Sequence, residues 1–300
     1  MNGVTWDDWK AQGRRVATGG LEVAAYDLGA PTGEWLTFLH GFPSSSLDIA
    51  PVLERLDGSW RVLAVDLPGF GAADKPTGHR YTIHAAADAT EAVWATMAVT
   101  SSVLLVHDYS VSVAQELLAR RAEGALAVEI TAVVWNNGGL FPDLHRPTIG
   151  QQFLADPEHG AEVAAGVDQD GFVRGIAGTW GTKVPFDETG AIEMYRSMDD
   201  HGGVPLMHDL LAYMIDRREH ADRWRDALAT CDVPMAFVWG DLDPVSGAHM
   251  IERVTELRPD TVIERLPDAG HWPLLEGPDE VAAVINERRW TADLSQIPLT

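Results

Sequence analysis

Short apolar runs alternate with turn residues and helical patterns over the first 140 residues of the chain. The runs that predict strands are 21–26, 35–39, 61–66, 103–106 and 130–135. Helical patterns near 83–97 and 111–121 flank the fourth of them. Near-continuous apolar strands separated by helices are typical of a parallel sheet that is covered on both faces.

The strand pattern stops between 138 and 230, where helical patterns are broken by glycine and proline. Strands resume at 233–239 and 261–266, with helices predicted at 248–257 and 278–288. The sequence therefore predicts one α/β core made of residues 1–137 and 231–300. A helical cap, or lid, at 138–230 interrupts this core.

Composition and charge narrow the class of function. Apolar residues make up 46% of the chain and charged residues 22%, as in ordinary globular proteins. The 45 acidic against 22 basic residues give a net charge of −23, which disfavours nucleic acid and anionic membranes as partners. No apolar run reaches the roughly 18 residues of a spanning helix. A single cysteine, Cys231, and an N-terminus without a signal-like pattern fit a cytoplasmic protein.

The histidines are scattered, with neither an HExxH motif nor paired cysteines, so we expect no metal and no cofactor. The expected partner is a small, largely apolar molecule, bound by a monomer or a homodimer.

Chemically distinctive motifs follow the predicted strands, and in open α/β sheets ligands bind beyond the carboxyl ends of the strands. These motifs are HGFP at 40–43, DLPGFG at 66–71, HDYS at 107–110, GDLDP at 240–244 and GHW at 270–272. Together and in this order they resemble the α/β-hydrolase superfamily, in which nucleophile, acid and histidine follow one another along the chain. The resemblance implies a mostly parallel sheet flanked by helices, with an inserted helical cap.

An aspartate stands where lipases and esterases carry their serine nucleophile, so the chain looks like the epoxide hydrolase and haloalkane dehalogenase branch. Within that branch the segments 107–118, 137–147 and 210–228 resemble the mesoderm-specific-transcript group.

The resemblance implies that Asp108 is a nucleophile that forms an ester with the substrate, although an aspartate before a helix can also be a simple N-cap. Ser110 is the rival nucleophile, and it occupies a place where the family usually has glycine. His271 would activate water and Asp243 would orient the imidazole. Asp241, two residues before Asp243, is the alternative acid.

The backbone N–H groups of Phe42 and Tyr109 would, by resemblance, form the oxyanion hole. Haloalkane dehalogenases hold the halide with side-chain N–H donors at these places, and phenylalanine has none, which weakens that alternative. Asn137, at the alternative position of the acid, carries no charge. Asn137 and Trp272 are expected beside the substrate.

Epoxide hydrolases protonate the ring oxygen with two lid tyrosines. Tyr213 lies where the second is expected, while the first has no match, and Tyr195 or His145 remain as substitutes. We therefore expect a cofactor-independent hydrolase that opens epoxides through an ester at Asp108. Haloalkane dehalogenation and ester or lactone hydrolysis are the alternatives within the enzyme class. A non-catalytic binding protein on a hydrolase fold is the alternative of another class.

Overall fold

A single eight-stranded sheet forms the centre of the molecule in the computed structural model, which describes residues 3–290. In chain order its strands, β1 to β8, are Arg14–Ala17, Glu22–Gly29, Glu34–Leu39, Trp60–Asp66, Ser101–Val106, Glu129–Asn136, Met235–Gly240 and Val262–Leu266. The spatial order is β1-β2-β4-β3-β5-β6-β7-β8. Strand β2 is antiparallel to both of its neighbours, and the other pairings are parallel. The predicted α/β-hydrolase fold is confirmed.

Helices cover both faces of this sheet. In chain order the helices, α1 to α14, are Trp6–Lys10, Ala50–Leu53, Ile83–Thr96, Tyr109–Ala122, Ile149–Leu154, Gly160–Ala165, Gln169–Ala177, Glu188–Asp199, Met207–Leu210, Tyr213–Glu219, Ala221–Thr230, Ala248–Leu257, Pro273–Glu276 and Pro278–Asn286. Short 3-10 turns lie at Ser46–Ile49, Asp200–Gly202 and Val204–Leu206. Within residues 3–290 no helix is both long and apolar enough to cross a membrane.

The predicted strands coincide with β2 to β8 to within a few residues, because the central strands of the sheet are apolar nearly throughout. Every residue of β7 is buried, as are all but the first residue of β5. The sequence missed β1 because it is a short edge strand in which only Val16 is buried. Its exposed arginines gave no strand pattern.

The chain between β6 and β7, where the sequence predicts a cap, holds α5 to α11 and, among its described residues, no strand. The last of these helices, α11, lies against core helix α4. The indole N–H of Trp224 donates to Glu116 Oε2 at 2.8 Å, and Arg223 pairs with Glu116 and with Glu123. The range 138–230 therefore includes a helix whose side chains contact the core.

The sheet order brings the sequence motifs together. Strands β3, β5, β6 and β7 are neighbours in the sheet and run parallel, so their carboxyl ends lie side by side. The loops that follow them carry Phe42, Asp108, Asn137 and Asp243. One edge of the sheet thus gathers the candidate chemistry.

Candidate active site

Asp108 occupies the sharp turn between β5 and α4. Its φ of 47° and ψ of −102° lie in a region that non-glycine residues rarely adopt, so the turn holds local strain. A Cβ on Gly41 would lie 2.8 Å from Asp108 Cβ, which shows how closely the loop after β3 approaches. The Asp108 side chain makes no capping hydrogen bond to α4, so the simple N-cap interpretation is wrong.

The Asp108 carboxylate lies between a backbone donor and an imidazole. The N–H of Phe42 donates to its Oδ2 at 3.0 Å. Its Oδ1 is 3.6 Å from His271 Nε2, is buried and has no hydrogen-bond partner within residues 3–290. One carboxylate oxygen thus accepts a backbone hydrogen bond, and the other faces His271 without a hydrogen-bond partner.

His271 is oriented by a second carboxylate. Its Nδ1–H donates to Asp243 Oδ2 at 2.7 Å. Asp243 also accepts from the Val245 N–H at 2.8 Å, the Ser246 hydroxyl at 3.0 Å and the Asn137 amide at 3.0 Å. The buried carboxylate is therefore fully hydrogen-bonded, as a buried charge must be.

Asp241, the alternative acid, instead forms an ion pair with Arg265 at 2.9 Å. Asn137 is fully buried next to Asp243 and is not among the residues that line the cavity described below. Besides contacting Asp243, it accepts from the Gly240 N–H at 2.7 Å and donates to the Gly240 carbonyl at 2.9 Å. Its amide therefore ties the end of β6 to the end of β7 and holds Asp243 in place.

Charge coupling shifts the pKa values of this pair. Burial alone would lower the pKa of His271, but the carboxylates of Asp243 and Asp108 outweigh it and raise the pKa to about 9. Burial likewise opposes the Asp243 anion, yet the charge and hydrogen bond of His271 hold the pKa of Asp243 well below its usual range. The raised pKa of His271 favours its imidazolium form, and the ring lies between the side chains of Asp243 and Asp108.

Ser110 is buried, and its hydroxyl donates to the backbone carbonyl of His40. This hydrogen bond links the first turn of α4 to the loop after β3. Ser110 is therefore engaged by the backbone, whereas Asp108 presents an unpartnered oxygen to His271.

A cavity of about 490 Å³, within the size range of small-molecule sites, lies between the loops that follow the sheet and residues of the range 148–207. His271 and Phe42 line it from the core. Its walls are mostly apolar and include Leu154, Val163, Val167, Phe172, Ile176, Met207 and Val245. Trp272 lines it as expected, packing on His271 with ring centroids 5.1 Å apart and donating to Thr179 Oγ1 at 2.9 Å. No group of His, Cys, Asp or Glu among the described residues is arranged to hold a metal ion.

The sequence model of the alpha/beta hydrolase family matches residues 38–284. The chain belongs to the α/β-hydrolase family. LipZ of Mycobacterium tuberculosis, named as a candidate hydrolase, is 34% identical over 280 residues, covering 92% of this chain and 94% of LipZ. The mesoderm-specific transcript homolog protein of Homo sapiens is 32% identical over 281 residues, covering 90% of this chain and 83% of that protein. A solved haloalkane dehalogenase, the DbeA-M1 loop variant from Bradyrhizobium elkanii, shares the fold with a TM-score of 0.75 at 18% identity, covering 96% of this chain and 99% of that one.

The two lid tyrosines expected of this α/β hydrolase lie in different surroundings. Tyr213 is fully buried against Tyr109, with ring centroids 5.0 Å apart, and its hydroxyl has no partner within residues 3–290. Burial, and next the charge of Asp108, raise the pKa of Tyr213, so it remains a proton donor. Tyr195 instead packs on Phe172, 5.5 Å between centroids, and the charges that act on it are those of Asp199 and Asp168. None of these interactions involves Asp108.

Two buried residues beside Asp108 and His271 could not be identified from the sequence. Arg217, only 2% exposed, donates from Nη2 to the Asp108 carbonyl at 3.0 Å, and no pattern separates it from its exposed neighbour Arg218. His107 donates from Nε2 to the His271 carbonyl at 2.7 Å and so fixes the backbone of that residue. The HDYS motif includes His107, but its position before Asp108 gave no hint of this contact.

Proposed function

We propose that this α/β hydrolase opens epoxides through a covalent ester at Asp108. The observation that carries the proposal is the Asp108 carboxylate, with one oxygen held by the Phe42 N–H and the other unpartnered beside His271. Tyr213, with its free hydroxyl and its raised pKa, lies next to this turn. These groups supply a nucleophile, a water-activating base and a proton donor.

In the first step Asp108 Oδ1 attacks an epoxide carbon, and the carbon–oxygen bond of the ring breaks. The ring oxygen keeps the electron pair and takes a proton from the Tyr213 hydroxyl. A neutral alkyl ester of Asp108 results. An alkoxide is a poor leaving group, so a donor that strengthens its bond as charge develops lowers the barrier.

In the second step the loss of the Asp108 charge lowers the pKa of His271, which can now release its proton. The Tyr213 phenolate regains one proton as His271 releases one, so Tyr213 is again neutral and His271 is now a neutral base. Neutral His271 then takes a proton from water, and the hydroxide adds to the ester carbonyl. The N–H groups of Phe42 and Tyr109 stabilise the oxyanion, which collapses to the diol and the free carboxylate. One epoxide and one water give one diol.

The test is a trapping experiment with His271→Phe, which keeps the nucleophile but removes the base. Incubation with a panel of terminal and internal epoxides should leave an adduct of the mass of one epoxide. Peptide mass spectrometry should place this adduct on Asp108. The matched control is His271→Phe combined with Ser110→Ala, which should form the same adduct. An adduct on Ser110, or none with any epoxide, would contradict the proposal.

Haloalkane dehalogenation is tested in the same experiment. The fold neighbour from Bradyrhizobium elkanii is a haloalkane dehalogenase, but the Phe42 side chain of this chain offers no donor to a halide. We therefore expect 1-bromohexane to label His271→Phe far more slowly than epoxides do. Faster labelling by the bromide would favour dehalogenation instead.

A further inference from the structure

The cavity beside His271 extends from a buried end to an exposed rim. His271 and Trp272, which are 5% and 1% exposed, line its buried end. The Nε2 atom of His271 makes no hydrogen bond to the residues that the structure describes, which leaves this atom to a ligand at that end. Gly150, Phe153 and Gly175 also line the cavity, and all three are exposed. The cavity therefore opens to solvent between α5 and α7.

Neither the backbone nor the packing of the protein requires a glycine at position 175. Gly175 lies inside α7, where a glycine destabilises the helix relative to an alanine. A Cβ at Gly175 would lie in open space, with no atom of the surrounding residues within 4 Å. At Gly171, one turn earlier, a Cβ would crowd Asp168 Oδ1 at 3.1 Å, so packing explains that glycine. What Gly175 provides is therefore room at the rim of the cavity.

Phe153 presents a large apolar side chain at the same rim. It lies on α5 and lines the cavity, yet it is 60% exposed. Leu154 and Ile176, which line the cavity as well, are buried. Covering an exposed phenylalanine with apolar atoms is favourable. An apolar ligand that reaches Phe153 from inside the cavity would therefore gain binding free energy.

We infer that the substrate carries an apolar chain that fills the cavity, passes over Gly175 and contacts Phe153 at the rim. The inference rests on the proposed function for the reaction itself and adds the substrate class, a terminal epoxide with a long alkyl chain. The apolar walls continue from His271 to Phe153, and the open space at Gly175 lies where such a chain would leave the cavity. Gly175 and Phe153 are therefore specificity-determining residues for chain length.

The experiment measures binding without any epoxide, so its outcome is independent of the proposed reaction. The 1,2-diols from 1,2-hexanediol to 1,2-decanediol, which are the products expected from terminal epoxides, are titrated into the wild-type protein by calorimetry. Affinity should rise by about fourfold for each added methylene group that is buried. Gly175→Leu should leave the affinity for 1,2-hexanediol within about twofold and weaken the binding of 1,2-decanediol by at least about tenfold.

Each variant has a matched control in the same segment of the chain. Gly178 is an exposed glycine at the end of α7 that does not line the cavity, so Gly178→Leu should bind all the diols as the wild-type protein does. Phe153→Ser should weaken the binding of 1,2-decanediol by at least about fivefold. Its control is Ile149→Ser, since Ile149 is a 72% exposed residue of α5 that does not line the cavity. Gly175→Ala should raise the melting temperature, because no contact opposes the added methyl group.

Equal binding of the short and the long diol to the wild-type protein would overturn the inference. So would equal losses in Gly178→Leu and Gly175→Leu, or a lower melting temperature in Gly175→Ala, which would make the glycine structural. If Phe153→Ser changes the oligomeric state and not the affinity, a second copy of the chain covers Phe153 and the inference fails. If the diols bind as expected but the trapped variant forms no epoxide adduct, the chain site stands and the proposed reaction fails. If epoxides label Asp108 without any dependence on chain length, the reaction stands and the chain site fails.

Discussion

Replacing Asp108 with asparagine should lower the pKa of His271, because it removes one of the two carboxylates that act on the imidazole. Asp108 Oδ1 is 3.6 Å from Nε2, while Asp243 Oδ2 is 2.7 Å from Nδ1. The substitution keeps the size of the side chain and removes its charge. It therefore imitates the neutral ester of the proposed mechanism.

The size of the effect follows from the distance. An opposite charge within about 4–6 Å shifts a pKa by about 1–3 pH units, or about 1.4–4 kcal/mol. Starting from a pKa of about 9, Asp108→Asn should bring His271 to about 6–8. In that range the imidazole is neutral often enough to activate water at pH 7. The hydrolysis step of the proposed mechanism depends on this change.

The assay is an NMR titration of the histidine ring signals in wild-type protein and in Asp108→Asn. The His271 signal is assigned by its loss in His271→Gln. Asp241→Asn serves as the control, since Asp241 pairs with Arg265 and should leave the His271 pKa unchanged. A His271 pKa near 9 in Asp108→Asn, or one below 7 in the wild-type protein, would refute the reasoning.

Ser110→Ala leaves a buried backbone carbonyl without its donor, so urea unfolding should show a loss of about 1–3 kcal/mol while turnover is retained. Tyr213→Phe should slow epoxide opening by about 10²–10⁴-fold, whereas reaction with an activated haloalkane, whose halide needs no proton, should be unaffected. Equal losses on both substrates would reduce Tyr213 to packing. His271 should stabilise the fold fully below its unfolded pKa of 6.5, and this contribution should disappear as pH rises through about 9. The melting temperature should therefore fall more between pH 6 and pH 9.5 in the wild-type protein than in His271→Gln, and parallel curves would contradict this.

The sequence predicted the fold and the proximity of Asp108, His271 and Asp243, because both follow from local patterns. Runs of consecutive apolar residues identify the buried strands. A parallel sheet then brings the residues that follow these strands together at one edge. The buried position of Arg217 has no such signal. Arg217 and Arg218 are identical neighbours, and only the packing of α10 against the turn at Asp108 buries one and exposes the other. Packing of the helices between β6 and β7 against the rest of the protein decides such contacts.

Tyr195 and Asn137 were expected at the site, but packing directs their side chains elsewhere. Tyr195 was a candidate proton donor because it is a tyrosine in the predicted cap. In the structure its ring, on α8, packs on Phe172. Asn137 was expected to face the substrate because it follows β6, yet its amide turns toward β7. A residue's position after a strand predicts its neighbourhood but does not predict its side-chain orientation.

The amide of Asn137 also constrains how this candidate site could change in evolution. An aspartate at 137 alone would place a second carboxylate about where the amide now lies, 3.0 Å from Asp243 Oδ2, and two such charges cannot both remain ionised. An asparagine at 243 alone would leave His271 without its anion. Only the exchange of both residues restores one acid and one supporting amide. The two positions are therefore epistatic. Whichever substitution comes first, the protein that carries it alone has an impaired site.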